Sequence, residues 1–111
     1  MNTNKKKIVI RGSKVHEVGY RVFLLNCALK AGLSGFSASN QISPEYTQII
    51  NVCIEGDNDS IKDFEKEIRE NWLVKALVDE ISTHPYNKRV INIQDFIQLL
   101  YIEILNRALH F

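Results

Sequence analysis

The sequence predicts an α+β fold of βαββαβ order, the ferredoxin-like sandwich in which two helices cover one face of an antiparallel sheet. Two clear extended runs point to it. One is Lys7-Ile8-Val9-Ile10. The other is Ile49 to Glu55, where Ile50, Val52 and Ile54 alternate with Asn51, Cys53 and Glu55. Each run is followed by a segment of helical apolar period, over Val22 to Leu33 and through Ile61, Phe64 and Ile68. A chain of 111 residues sets one domain as the default.

Each element has a local reason. Met1 to Lys6 is polar and predicts a frayed start. The first strand, Lys7 to Arg11, closes at Gly12. Val22, Phe23, Leu25, Cys27, Ala28 and Leu29 give the first helix its apolar face, and Gly32 stops it. Gly35 to Ser39 is a small, serine-rich strand entering a hairpin, and Ser43-Pro44-Glu45 marks the loop from Gln41 to Thr47. After the strand at Ile49 to Glu55, Gly56-Asp57-Asn58-Asp59 is a turn in which Asp57 or Asn58 caps the second helix. Trp72 and Leu73 are expected to cover that helix's end. Ala76 to Thr83 reads as the last strand, ended by His84-Pro85 because proline removes a ladder donor.

Residues 1–90 account for this domain, and 91–111 form a separate element. Ile93, Phe96, Ile97, Leu100, Tyr101, Ile104, Leu105, Ala108 and Leu109 recur at helical spacing in an amphipathic helix. Its stripe has to be buried on the domain, at a homodimer interface, or on another protein.

Composition narrows the function classes. A formal net charge of +1 gives no bulk field for nucleic acid or an anionic membrane. Lys5-Lys6-Lys7 reads as a solvated run, and the two strands lack the paired aromatics that RNA-recognition modules place there. No apolar stretch is long enough to span a bilayer and no secretory signal is apparent. Cys27 and Cys53 sit in apolar runs and read as buried free thiols of a reducing, cytoplasmic compartment. His84 and His110 share no ligand spacing with other donors, so no metal is expected.

The chemistry concentrates in Val15-His16-Glu17-Val18-Gly19-Tyr20-Arg21, between the first strand and the first helix. Backbone N–H groups at a helix start are unpaired and carry the positive end of its dipole. Arginine there adds a forked cation that suits phosphate or carboxylate. Without an anion nearby, its charge opposes the dipole.

Gly12 followed by Val15 to Arg21 resembles the acylphosphatase signature Gly-x-Val-Gln-Gly-Val-x-Phe/Tyr-Arg. Gly32-Leu33-Ser34-Gly35-Phe36 with Asn40 resembles that family's second signature, Gly-aromatic-x-x-Asn, and Glu55-Gly56 falls where the family has a strand-end Glu-Gly. The similarity covers about residues 6 to 87. It implies the same βαββαβ fold and hydrolysis of the carboxyl–phosphate bond of small acyl phosphates without metal or cofactor. Phosphate, as part of the substrate or free, would be held by Arg21 with the loop amides of His16, Glu17, Val18, Gly19 and Tyr20. Asn40 would orient the attacking water. An acyl phosphate is already activated, so positioning and charge stabilisation suffice.

The chain departs from the pattern in three places. Glu17 stands where the family has glycine, one extra residue separates Gly12 from Val15, and Asn40 lies one step late. A one-residue slip along a strand turns a side chain to the other face unless a bulge restores it. These departures, with the added helix, support an alternative: a catalytically impaired module of the same fold that binds or interacts through its C-terminal helix.

Overall fold

A computed structural model describes residues 3–16, 18–45, 47–71 and 76–109. Its elements are β1 (Asn4–Lys14), α1 (Tyr20–Ala31), β2 (Gly35–Ile42), β3 (Gln48–Gly56), α2 (Asn58–Glu70), β4 (Leu77–Pro85) and α3 (Ile93–Leu109). The strands form one sheet of order β2-β3-β1-β4, and every neighbouring pair is antiparallel. This is the ferredoxin-like sandwich, with a third helix added.

Alternation sets the two faces of the sheet. Ile8 and Ile10 of β1, Phe36 and Ala38 of β2, and Ile50, Val52 and Ile54 of β3 are buried beneath Leu24 and Ala28 of α1 and Ile61, Phe64 and Ile68 of α2. Lys30 of α1 and Glu67 of α2 tie the two helices at 2.9 Å. Cys53 occupies the opposite phase of β3, so it is a half-exposed free thiol, whereas Cys27 is free and buried as expected.

Several boundaries differ from those the sequence predicts. β1 begins at Asn4, because backbone pairing with Gly56 depends little on side-chain polarity, and the start is not frayed there. It also runs past Gly12 to Lys14. The extra residue before Val15 is taken up in bulged pairing with β4, where the register shifts between Arg11 and Gly12 and again between Gly12 and Lys14. A Cβ at Gly12 would lie 2.0 Å from the Leu77 carbonyl oxygen, so only glycine fits that crossing. β4 retains Pro85 inside its last pairing because it is an edge strand. Asp57 caps α2, accepting from the Ser60 N–H at 2.8 Å. Trp72 and Leu73 lie outside the described residues.

α3 starts on the outer edge of β2. The Phe36 N–H donates to the Ile91 carbonyl and the Ile93 N–H to the Ser34 carbonyl, each at 3.0 Å. Asn92 accepts from the Gln94 N–H at 2.8 Å. Phe96 then packs edge-to-face on Phe36, ring centres 5.1 Å apart at 80°. Ile93, Phe96 and Leu100 are buried, with Ile97 partly so. Tyr101, Ile104, Leu105 and Leu109 are exposed. The predicted stripe is therefore buried on the domain only along its first half. Among the described residues, no helix is long and apolar enough to cross a membrane.

Candidate functional site

The β1–α1 loop reaches α1 through Gly19, whose φ of +79° is left-handed and favours glycine. No side chain caps α1 and its first turn holds no acid. The first N–H groups of the helix thus keep their dipole without a protein anion on the helix itself. The other side of the loop is pinned. The Gln48 amide oxygen accepts from the N–H groups of Val15 at 2.8 Å and His16 at 2.9 Å, and the His16 Nε2 pairs with the Ile49 carbonyl at 2.7 Å. Of the loop amides expected to face a ligand, that of His16 is therefore engaged elsewhere, because Gln48 at the start of β3 reaches it first. Val18 packs its side chain on the core. Glu17 lies outside the described residues.

A cavity of about 290 Å³ opens beside this helix start. Val15, Gly19, Tyr20, Arg21 and Val22 line it from the loop and α1, and Asn40 lines it from β2. Leu100, Glu103, Ile104 and Arg107 close it from α3. Asn40 needs no bulge to reach it. The β2–β3 register is continuous, and Asn40 pairs with Ile50 in the same phase as Phe36 with Ile54 and Ala38 with Val52. The expected turning-away of Asn40 is thus corrected: its phase is that of the core face. The Tyr20 hydroxyl is buried without a hydrogen-bond partner among the described residues, and burial pushes its pKa up.

Arg21 is the most enclosed cation of the site, its side chain 17% exposed. It is not free. Both guanidinium ends face Glu103 of α3, Nη1 to Oε1 at 3.4 Å and Nη2 to Oε2 in a short ion pair. The hydrogen bond from Arg21 holds the Glu103 carboxyl below the usual range, against an opposing effect of burial, and the charges of Arg21 and Arg107 add to it. Arg107 stands 4.0 Å from the same carboxylate.

Gln48, Glu103 and Arg107 are site residues that the sequence reading passed over. A signal for two of them exists. Phe96, Leu100, Glu103 and Arg107 follow one another at spacings of four, three and four, which puts an acid and a cation on the continuation of the buried face of α3. Gln48 carries no comparable mark.

An antiparallel βαββαβ sandwich with a basic cavity at the first helix start is the class of domain that fold and site define. The acylphosphatase family model matches residues 6–97, and the chain belongs to that family. Among solved structures, full-length HypF in a phosphate- and nucleotide-bound form is 30% identical with a TM-score of 0.68, over 79% of this chain. The match spans only 11% of the HypF chain. The acylphosphatases of Bacillus subtilis and Coxiella burnetii are each 18% identical with a TM-score of 0.58. The first match covers 79% of this chain and 89% of that one, the second 81% and 87%. At that identity they show the fold alone. No curated protein matches the chain.

Proposed function

We propose that the cavity is a phosphate site at which the carboxyl–phosphate bond of small acyl phosphates is hydrolysed. Arg21 holds the phosphoryl oxygens together with N–H groups around Gly19 and Tyr20, and Asn40 orients the water. The water oxygen bonds to phosphorus as the bond to the acyl oxygen breaks. The carboxylate leaves without needing a proton, and the water's protons pass to solvent and product phosphate. Charge spread over the equatorial oxygens is stabilised by a preorganised guanidinium and amides, which is the main demand of phosphoryl transfer. One observation carries the reading: Arg21 and Asn40, from different elements, line a single cavity at an uncapped helix start. Its setting is a reducing compartment such as the cytoplasm, consistent with two free thiols.

The assay is hydrolysis of benzoyl phosphate by the wild type beside Arg21→Ala and Asn40→Ala. Turnover by the wild type and its loss in both variants is expected. Loss of one oriented donor to a developing oxyanion costs about 10²–10³ in rate. Wild-type activity retained in Arg21→Ala would remove Arg21 from the site.

A second reading is favoured by the carboxylate already seated on Arg21 and by the exposed apolar residues of α3, Tyr101, Leu105 and Leu109 among them. It makes the chain a catalytically impaired module of this family that acts through α3, by self-association or on another protein. Background hydrolysis in all three proteins would select it.

A further inference from the structure

We propose that Glu103 is a tethered competitor for the phosphate seat, so that α3 closes the site until an oxyanion displaces it. The inference rests on the reading of Arg21 as that seat. Three observations carry it. A carboxylate presents two oxygens to the guanidinium fork much as phosphate does, and Glu103 bonds both ends of Arg21 in that way. One guanidinium cannot hold both in this geometry.

The placement is built into the helix. Glu103 follows Phe96 and Leu100 on one face, so docking of these two buried residues delivers the carboxylate to Arg21. Release is also provided for. Beyond Leu100, no residue of α3 through Leu109 is buried, so the last turns are held at the domain mainly by this ion pair. Arg107, one turn on, offers the displaced carboxylate a partner on its own helix. Phosphate binding and seating of the second half of α3 are thus mutually exclusive.

The test is titration of the full chain with inorganic phosphate by calorimetry, using wild type, Glu103→Gln and Arg21→Gln, with hydrogen exchange of residues 101–106 followed in parallel. Glu103→Gln is expected to bind phosphate about fivefold more tightly or better, the effect of removing a partly exposed pair that masks the competent state. Arg21→Gln is expected to lose binding. In the wild type, saturating phosphate is expected to speed exchange across 101–106. Equal affinity in wild type and Glu103→Gln, with binding lost in Arg21→Gln, overturns the competitor and leaves the phosphate seat standing. Unchanged exchange on saturation overturns the displacement of α3 in the same way. Full binding by Arg21→Gln, or none by Glu103→Gln, overturns the seat and the competitor together.

Discussion

Phe96→Ala and Leu105→Ala are the same kind of change on one helix, yet burial predicts opposite outcomes. Phe96 is 7% exposed and meets Phe36 edge-to-face, and Phe36 in turn meets Phe64 of α2 with ring centres 6.2 Å apart. Truncating a buried phenylalanine to alanine costs about 3–5 kcal/mol in transfer and cavity terms. Phe96 lies at the rim of the core, where neighbours can close in, so the lower figure of about 3 kcal/mol applies. For a domain of this size that lowers Tm by about 10–15 °C. Leu105 is 45% exposed, so its truncation changes stability by less than about 0.5 kcal/mol. The assay is urea denaturation followed by far-UV circular dichroism, repeated at two protein concentrations. A Phe96→Ala loss below about 1 kcal/mol would show that α3 is not anchored through this ring. A concentration-dependent loss in Leu105→Ala would show that a second copy covers the open stripe.

Two further outcomes follow from the site. The pKa of Glu103 is depressed, chiefly by its hydrogen bond from Arg21, so its stabilisation is present above the ordinary glutamate value of 4.5 and is lost as pH falls through the depressed folded value. With the carboxylate side chain 41% exposed, wild type should exceed Glu103→Gln by only about 0.5–1 kcal/mol at pH 7, and the gap should narrow progressively as parallel thermal melts are taken below pH 4.5; a gap that does not narrow on acidification would contradict the pairing. Gln48→Leu strands the N–H groups of Val15 and His16 and should cost about 2 kcal/mol, while Gln48→Glu keeps the acceptor. Faster amide exchange at Val15 and His16 in the leucine variant alone is the expected reading.

The fold was legible because its strongest signals are local. The alternation of β3 follows from which residues must face the helices. The stop at Gly32 and the cap at Asp57 are set by neighbours within a turn. Arg21 was legible for the same reason, as a cation at a helix start. What the sequence hid is long-range. Glu103 meets Arg21 across 82 positions, and Gln48 meets Val15 across 33. Asn40 was misjudged because its phase was counted from a motif glycine; counted from Phe36 and Ala38, with which it shares a face, it points to the core side. The α3 stripe was read as a face that must be buried on the domain, on a second copy or on another protein; the domain itself buries only its first half, because periodicity reports a face and not how far one surface covers it.

The sheet has two outer strands, and an unpaired strand edge is a template on which another chain can add. On the β2 side, the backbone of residues 91–93 satisfies the donor of Phe36 and the acceptor of Ser34, and α3 runs on along the same border. On the β4 side, Pro85 withholds a donor, and a bulge with Asp79 and Glu80 breaks the regular ladder where β4 meets Arg11 and Gly12. The segment that brings Glu103 to the cavity therefore also guards against edge-to-edge growth of the sheet. A chain cut before Ile91 would expose the β2 border as well as lose the buried Ile93, Phe96 and Leu100, so aggregation in solution joins unfolding among the hazards that the first residues of α3 hold in check.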